Sequence, residues 1–495
     1  MNITGMRTHR SIKVGLPGAR WLATRSVTCA ALTLALAGCM MGPRYERATA
    51  PPASTFKEAA GWKVAEPADA LPRGDWWRVF SDPALDALLA RVDIDNQSLR
   101  LAEAQYRQAL ALAAQSRAGL FPTLSGTLSE SRSRSAALPP APGTAPFSTY
   151  ATGLTTSWDT DLWGRIRSTI DANDASAQAS AADLESARLS TRALLAQNYF
   201  SLRVVDTQKK LLDDTAQAYR LSLRLTRNRY EAGVAARADI VQAETQLRST
   251  EASAIDVGVQ RAQLEHAIAI LVGIAPEALS VPVRPLDLVP PSVPLALPSA
   301  LLERRPDIAA AERRMAAANA QVGVVQSAWF PALTLTGTLG FRSSSFARWF
   351  ELPSRYWSLG PALAETLFDG GLRDAQKAQA MAAWDASVAT YRVTVLGALQ
   401  QVEDNLAALR ILDEEARVQA EAVRLARQSV ELTLNQYKAG TVGYLNVVTV
   451  QAAALANESA ALGVLGRRLT ATVLLIQALG GGWTSADLAI ATPKS

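Results

Sequence analysis

Apolar residues recur along this chain in two rhythms, and each rhythm occurs twice. From Asn96 to about Arg117, Leu99, Ala102, Tyr106, Ala109, Leu110 and Ala113 mostly fall three or four apart, which gathers them on one face of an α-helix. After Phe121-Pro122 the rhythm becomes two: Leu124, Gly126 and Leu128 alternate with Ser and Thr. Thr152, Leu154, Thr156 and Trp158 alternate again beyond a loop marked by Leu138-Pro139-Pro140-Ala141-Pro142-Gly143. That is a strand, a loop and a strand. In the second half Leu333, Leu335, Gly337, Leu339 and Phe341 repeat the alternation, Ser343-Ser344-Ser345 to Pro353 interrupts it, and Trp357, Leu359, Pro361 and Leu363 resume it.

The rest of the pattern is helix of unusual length. From Arg165 to Tyr230 there is neither proline nor glycine, which predicts a rod of roughly 100 Å at 1.5 Å per residue. A second rod is predicted from Leu372 to Tyr437, with Gly397 its only breaker. There Val395, Leu399, Val402, Leu406 and Leu409 keep a four-three spacing, and Ala416, Val423, Val430 and Tyr437 continue at seven, the periodicity of a coiled coil. Each rod stops at a glycine, Gly233 or Gly440, suited to a turn with positive φ, and a further helix follows, Arg237 to Val272 and Tyr444 to Leu479.

These parallels are a duplication. Tyr230-Glu231-Ala232-Gly233 returns as Tyr437-Lys438-Ala439-Gly440, and Phe121-Pro122-Thr123-Leu124 as Phe330-Pro331-Ala332-Leu333, both at an offset of about two hundred residues. Solenoid repeats have periods of roughly 20 to 50 residues, so a whole domain was copied. We divide the chain into an extended N-terminal segment at 39–83 and a first repeat at 84–283, holding a β-hairpin at 123–158 and a helical hairpin at 165–272. A Pro-rich linker follows at 284–298, then a second repeat at 299–480, with hairpins at 332–366 and 371–480, and a tail at 481–495.

Strands of about ten residues with one apolar and one small-polar face have the length and pattern of a transmembrane β-barrel; a half-buried soluble sheet is the alternative. Four strands cannot close a barrel, since about eight are needed even for a filled interior. Open edges are not tolerated in lipid, so spanning strands require several copies of the chain. After residue 38 no apolar run reaches about 18 residues, and no membrane-crossing helix is expected.

The N-terminus supplies an address. Arg7, Arg10, Lys13, Arg20 and Arg25 precede an apolar stretch from Val27 to Ala37 and then Leu36-Ala37-Gly38-Cys39, the parts of a secretory signal at 1–38. The formal charge of +5 comes from 50 Lys+Arg against 45 Asp+Glu, and the signal holds five basic and no acidic residues, so the remainder is balanced. No basic block is left to mark a nucleic-acid partner. Of the two cysteines and two histidines, Cys29 and His9 lie in the signal. The remaining His266, between Leu264 and Ile268, reads as packed or solvated rather than a ligand. With no phosphate-binding loop, Ser-His-Asp set or His/Cys cluster, we expect no cofactor, no metal and no enzyme activity.

Several motifs carry a resemblance. Gly42-Pro43-Arg44-Tyr45, Trp77-Arg78-Val79-Phe80-Ser81-Asp82-Pro83, Asp161-Leu162-Trp163-Gly164-Arg165, Glu303-Arg304-Arg305-Pro306-Asp307-Ile308 and Leu367-Phe368-Asp369-Gly370-Gly371 occur in order on the duplicated framework. The chain resembles a TolC-type outer membrane factor of the lipoprotein subclass. That resemblance implies a mainly α protein with a membrane β-barrel, in which three chains of four transmembrane strands form one twelve-stranded barrel and coiled-coil hairpins form an α-barrel in the periplasm. It implies lipidation of Cys39 and, with Met40 rather than Asp next to it, sorting to the Gram-negative outer membrane. The implied partners are a periplasmic adaptor, an inner-membrane pump and outer-membrane lipid. The implied function is passive efflux of drugs or other small molecules. Type I protein secretion and a periplasmic coiled-coil adaptor or scaffold are the alternatives.

Physically, the same motifs are architectural. Phe121-Pro122 and Phe330-Pro331 mark helix-to-strand junctions, Trp163-Gly164 and Asp369-Gly370-Gly371 the reverse crossing, and Arg305-Pro306-Asp307 a helix start. Function is expected at the rod tips, where Gly233 and Gly440 would meet the adaptor or pump. The positions matching the family's acidic ring are Asn446 and Thr449, so that ring is missing. Tyr437 and Asp239 match a family tyrosine-aspartate link and are the expected latch; Leu445 and Val448 offer an apolar constriction instead.

Overall fold

The computed structural model describes residues 42–49, 57, 75–134, 145–287, 290–291 and 305–481. The signal, Cys39 and most of the second half of the linker lie outside the described residues. The chain divides into two compact units, one built from Met1–Tyr45, Ala114–Ala172 and Asn319–Ala382, the other from Glu46–Ala113, Asn173–Ala318 and Ala383–Ser495. Neither unit follows a repeat: each takes material from both copies.

In chain order the main elements are α1 (Pro83–Asp95), α2 (Gln97–Ala118), β1 (Thr123–Ser133), β2 (Phe147–Asp159), α3 (Arg165–Glu231), α4 (Arg237–Val272), α5 (Pro306–Ser327), β3 (Ala332–Ser343), β4 (Arg355–Ala364), α6 (Leu372–Lys438) and α7 (Tyr444–Ala478).

The first unit holds the sheet, four antiparallel strands in the order β1-β2-β3-β4. The register sorts the side chains cleanly. Leu124, Leu128, Leu154, Trp158, Leu335, Leu339, Trp357, Leu359 and Leu363 share one face, and Ser125, Thr127, Thr155, Thr336, Thr338 and Ser358 share the other. The apolar face is uncovered in the single chain, with Leu124, Leu128, Trp357 and Leu359 each more than 70% exposed. Its apolar rows run from the Leu333–Leu363 pair to the Phe341–Arg355 pair, about 27 Å at ~3.4 Å per residue. From that last row on the face turns polar, with Arg355 and then Glu130 and Arg132.

The junctions form where the motifs lie, and each has a reason. Trp163 donates its indole N–H to the Pro331 carbonyl at 2.8 Å and stacks on Phe330 at 4.8 Å, so a motif of one repeat closes on its counterpart in the other. Asp161 takes a left-handed φ of 49° and its carboxylate accepts the free N–H groups of Ile166 (2.7 Å) and Arg167 (3.0 Å), capping α3. Asp369 does the same for α6 through Gly371 and Arg373. The N-terminal segment crosses α5 glycine to glycine: a Cβ on Gly42 would come within 2.9 Å of the Gly323 Cα. Asn319 holds it there by donating to the Pro43 carbonyl at 3.0 Å.

The second unit is helical and contains the larger core, in which residues of α1, α3, α4, α6 and α7 pack together. The coiled-coil seam of α6 is buried at Val395, Val402, Leu406 and Leu409 but only half-buried at Ala416, Val423 and Val430. One expectation is corrected here. The segment at 39–83 is not extended throughout, because Trp76–Phe80 forms a 3-10 turn whose Trp76, Trp77 and Phe80 are buried in the core. Among the described residues one helix, α7, is long and apolar enough by length and composition alone to cross a membrane, as core helices also are. Its most apolar stretch is split by Arg467-Arg468, which pair with Glu415 and Asp413, so it holds no unbroken apolar run. Its apolar side chains are core material: Val464, Leu469, Val473, Leu475 and Ile476 are all within the main cluster.

Buried charges tie the end of the first repeat down. Asp206, almost fully buried, accepts from Arg203 at 3.1 Å, from Arg261 at 2.8 Å and from the Arg284 backbone N–H at 3.1 Å. Tyr199 donates to Asp82 at 2.6 Å, and Asp82 also caps α1 through the Ala84 N–H. Burial and that carboxylate push the Tyr199 hydroxyl up to about 12. Arg305 donates to the Ala478 carbonyl at 3.0 Å, so the Arg305-Pro306-Asp307 motif starts α5 and also stops α7.

Candidate functional site

The two helix-to-helix turns of the second unit are the candidate site. Gly233 (φ 76°) and Gly440 (φ 81°) both sit in the left-handed region. In each turn the residue after the glycine donates back to the helix: Val234 N–H to the Arg229 carbonyl at 2.9 Å, Thr441 N–H to the Gln436 carbonyl at 3.0 Å. This is the same glycine-terminated closure in both copies. Any other residue at either glycine would be held where a Cβ costs about 1–2 kcal/mol.

Beyond the backbone the two copies differ. Tyr230 is 44% exposed, whereas its counterpart Tyr437 is 2% exposed in a cluster with Tyr219, Leu223, Leu247, Tyr444 and Val447. The Tyr437 ring meets Tyr444 edge-on at 5.4 Å and carries the Arg229 guanidinium over its face at 4.7 Å. Arg229 Nη1 donates to the carbonyls of Tyr437 (2.8 Å) and Lys438 (3.1 Å). Those are the last carbonyls of α6, which have no partner within the helix and form the negative end of its dipole. One side chain of the first repeat thus caps a helix of the second.

The expected Tyr437–Asp239 pair is not formed within the chain. The Tyr437 hydroxyl donates to Thr226 Oγ1 at 3.2 Å, and Asp239 Oδ2 accepts the Ala236 N–H at 3.2 Å, closing the first turn of its own α4. A carboxylate at the third helical position finds that free backbone donor locally, without ordering a second element. Asp239 is still felt nearby: burial first, then Tyr437, Tyr219 and Asp239, push the Tyr444 hydroxyl up to about 12. Leu445 is 61% exposed, Val448 packs partly against the aromatic cluster, and Asn446 and Thr449 are exposed.

Arg229, Thr226 and Tyr444 were not singled out from the sequence. Tyr444 had only its place at the start of α7, just past the Gly440 turn. Arg229 had only its place in the last turn before Gly233, which fits a cap for its own helix as well as for another. Among the described residues no group of His, Cys, Asp and Glu is arranged to hold a metal ion.

The family model described as outer membrane efflux protein matches this chain twice, at residues 88–273 and 297–481. The antibiotic efflux pump outer membrane protein ArpC of Pseudomonas putida is 30% identical over 492 residues, spanning 95% of this chain and 100% of that one. The pyoverdine export outer membrane protein OpmQ of Pseudomonas aeruginosa is 31% identical over 459 residues, covering 91% and 96%. Among solved structures, the outer-membrane channel OprN superposes with a TM-score of 0.83 at 30% identity, covering 90% of this chain and 100% of that one. The open-state MtrE outer membrane channel of Neisseria gonorrhoeae gives 0.81 at 28% identity, covering 90% and 99%. With both copies of the strand-and-helix unit matched, the chain belongs to the outer membrane efflux protein family.

Proposed function

We propose that the chain is one protomer of a trimeric exit duct, in which β1 of each copy pairs with β4 of the next to close a twelve-stranded barrel. The protein is an outer-membrane efflux channel by family. The observation that carries the finer reading is the sheet. It has four strands, two unpaired edges and an uncovered apolar face about 27 Å long along the strands, which at the 35–45° tilt of outer-membrane barrels covers about 20 Å of their roughly 25 Å band. A sheet with free edges is not stable in hydrocarbon, and joining copies edge to edge is the way to remove them.

In this reading the duct is passive, energy enters through an inner-membrane pump and its periplasmic adaptor, and those partners meet the chain at the turns around Gly233 and Gly440. Small molecules are the favoured cargo, since the relatives above are named for antibiotic efflux and pyoverdine export. The gate then rests on the aromatic cluster of Tyr437 and Tyr444 with the Arg229 cap, flanked by the apolar Leu445 and Val448, while Asp239, Asn446 and Thr449 line its polar rim.

Light scattering of the full chain purified in mild detergent is expected to give the mass of three protomers. A folded, detergent-free monomer would overturn the barrel.

A further inference from the structure

The face of the sheet opposite the apolar one carries almost no charge. By the register it consists mainly of Ser, Thr, Gly and Ala on all four strands, and two charged side chains break it. Asp159 lies at the end next to α3 and is paired with Arg165 at 2.7 Å. Arg342 lies at the other end, one residue before β3 stops, opposite Ala151. It makes no ion pair among the described residues, and residues 135–144 contain neither acid nor base. Glu130, the other acid of the four strands, is on the apolar side.

What holds Arg342 is an aromatic ring. Its guanidinium lies over Tyr356, 5.4 Å from the ring centre. Tyr356 is opposite Gly340, and a Cβ on Gly340 or on Gly153 would come within 2.9 Å of the tyrosine hydroxyl oxygen, so two glycines make room for the ring along the sheet. A ring face attracts a cation through its quadrupole but brings no negative charge. The guanidinium is therefore oriented while its charge stays uncompensated, and an arginine in a protein does not lose its proton.

In the duct proposed above this face is the lumen wall. Twelve strands ~4.8 Å apart and tilted by about 40° make a wall of about 12 Å radius, from which an arginine reaches inward. Three guanidinium groups then stand roughly one Debye length from the axis, about 8 Å at physiological salt. At that separation three unit charges enrich anions over cations by roughly 3-fold, and by more as salt falls. The tip positions Asn446 and Thr449 are neutral and do not oppose them.

We infer that Arg342, present once in each of three copies, forms an anion-selecting ring at the outward end of the lumen, favouring the passage of chloride and of larger anionic solutes. This ring rests on the duct reading, but the two fail in different measurements. Single channels of the full chain in planar bilayers under a KCl gradient report the chloride-to-potassium permeability ratio. The parent is expected to prefer chloride by roughly 3-fold at physiological salt, and by less as KCl is raised. Arg342→Lys keeps the charge and is expected to keep the ratio. Arg342→Gln is expected to lower it roughly 3-fold and Arg342→Glu roughly 10-fold, since lumen substitutions tune selectivity. Arg342→Ser, which matches the neighbouring side chains, is the second neutral variant should Arg342→Gln give no channels. A parent without preference for chloride, or one ratio shared by the parent, the neutral variants and Arg342→Glu, would overturn the ring and leave the trimer intact. A detergent-free monomer in light scattering would instead overturn the duct.

Discussion

Arg229 caps a helix to which it does not belong. Its guanidinium satisfies two terminal carbonyls of α6 and lies on the ring of Tyr437, so one side chain joins the hairpins of the two repeats. Charge-assisted hydrogen bonds and a partly shielded cation–π contact together put the link at about 2 kcal/mol. Arg229→Ala is therefore expected to raise hydrogen exchange of the amides from Tyr437 to Val442 by roughly 30-fold, while amides in the main core stay protected. Arg229→Lys restores the charge but not the planar fork, and is expected to recover only part of the protection. Unchanged exchange in the alanine variant would mean the cap contributes nothing. At this scale the sequence located the two glycine turns, while the Tyr437–Asp239 pair it suggested is not formed within the chain. Motif matching placed Tyr437 opposite Asp239, but hydrogen bonding is decided by which neighbour is cheaper to order, and Asp239 has its own helix end within reach.

The strands were legible as elements because alternation survives any tertiary context. Leu333, Leu335 and Leu339 could only share a face, and α2 and α5 stop just before their Phe-Pro pairs. The same alternation yields a test. Leu359 lies in the middle row of the apolar band, and Thr338 on the opposite face, beside Ser358 at 2.7 Å. Leu359→Arg is expected to cost about 2–4 kcal/mol in the bilayer, and Thr338→Arg far less. The amounts of heat-resistant oligomer recovered from outer membranes report the difference. Equal losses from both faces would contradict a lipid-facing apolar side. The 3-10 turn at Trp76–Phe80 escaped notice because a five-residue turn has no period to read.

For the molecule as a whole, two features outside any single element decide how it is held in place. In the proposed duct the apolar face of the sheet is an anchor in its own right, and lipidation of Cys39, as the signal suggests, would add a second. Lipid on one cysteine anchors only marginally, so the barrel is expected to dominate. Cys39→Ser should lose acyl labelling while most of the protein still fractionates with the outer membrane; complete release into the soluble fraction would mean the strands do not insert. Duplication is the other feature. The two copies are sequential in the chain, yet each compact unit is assembled from parts of both, because α3 and α6 each begin in the strand-bearing unit and continue in the helical one.

By itself the sequence determined the repeat, the four strands, the long helices and the glycine turns between them. Each of these follows from local spacing and from residues with restricted backbones, which act over a few positions of chain. The tertiary structure alone decided which of two equivalent tyrosines is buried and that Arg229 serves the opposite hairpin. For the two tyrosines the physical reason lies in the duplication itself. A duplicated sequence offers the same side chain in two places, and only packing against a non-equivalent neighbour makes the two places different.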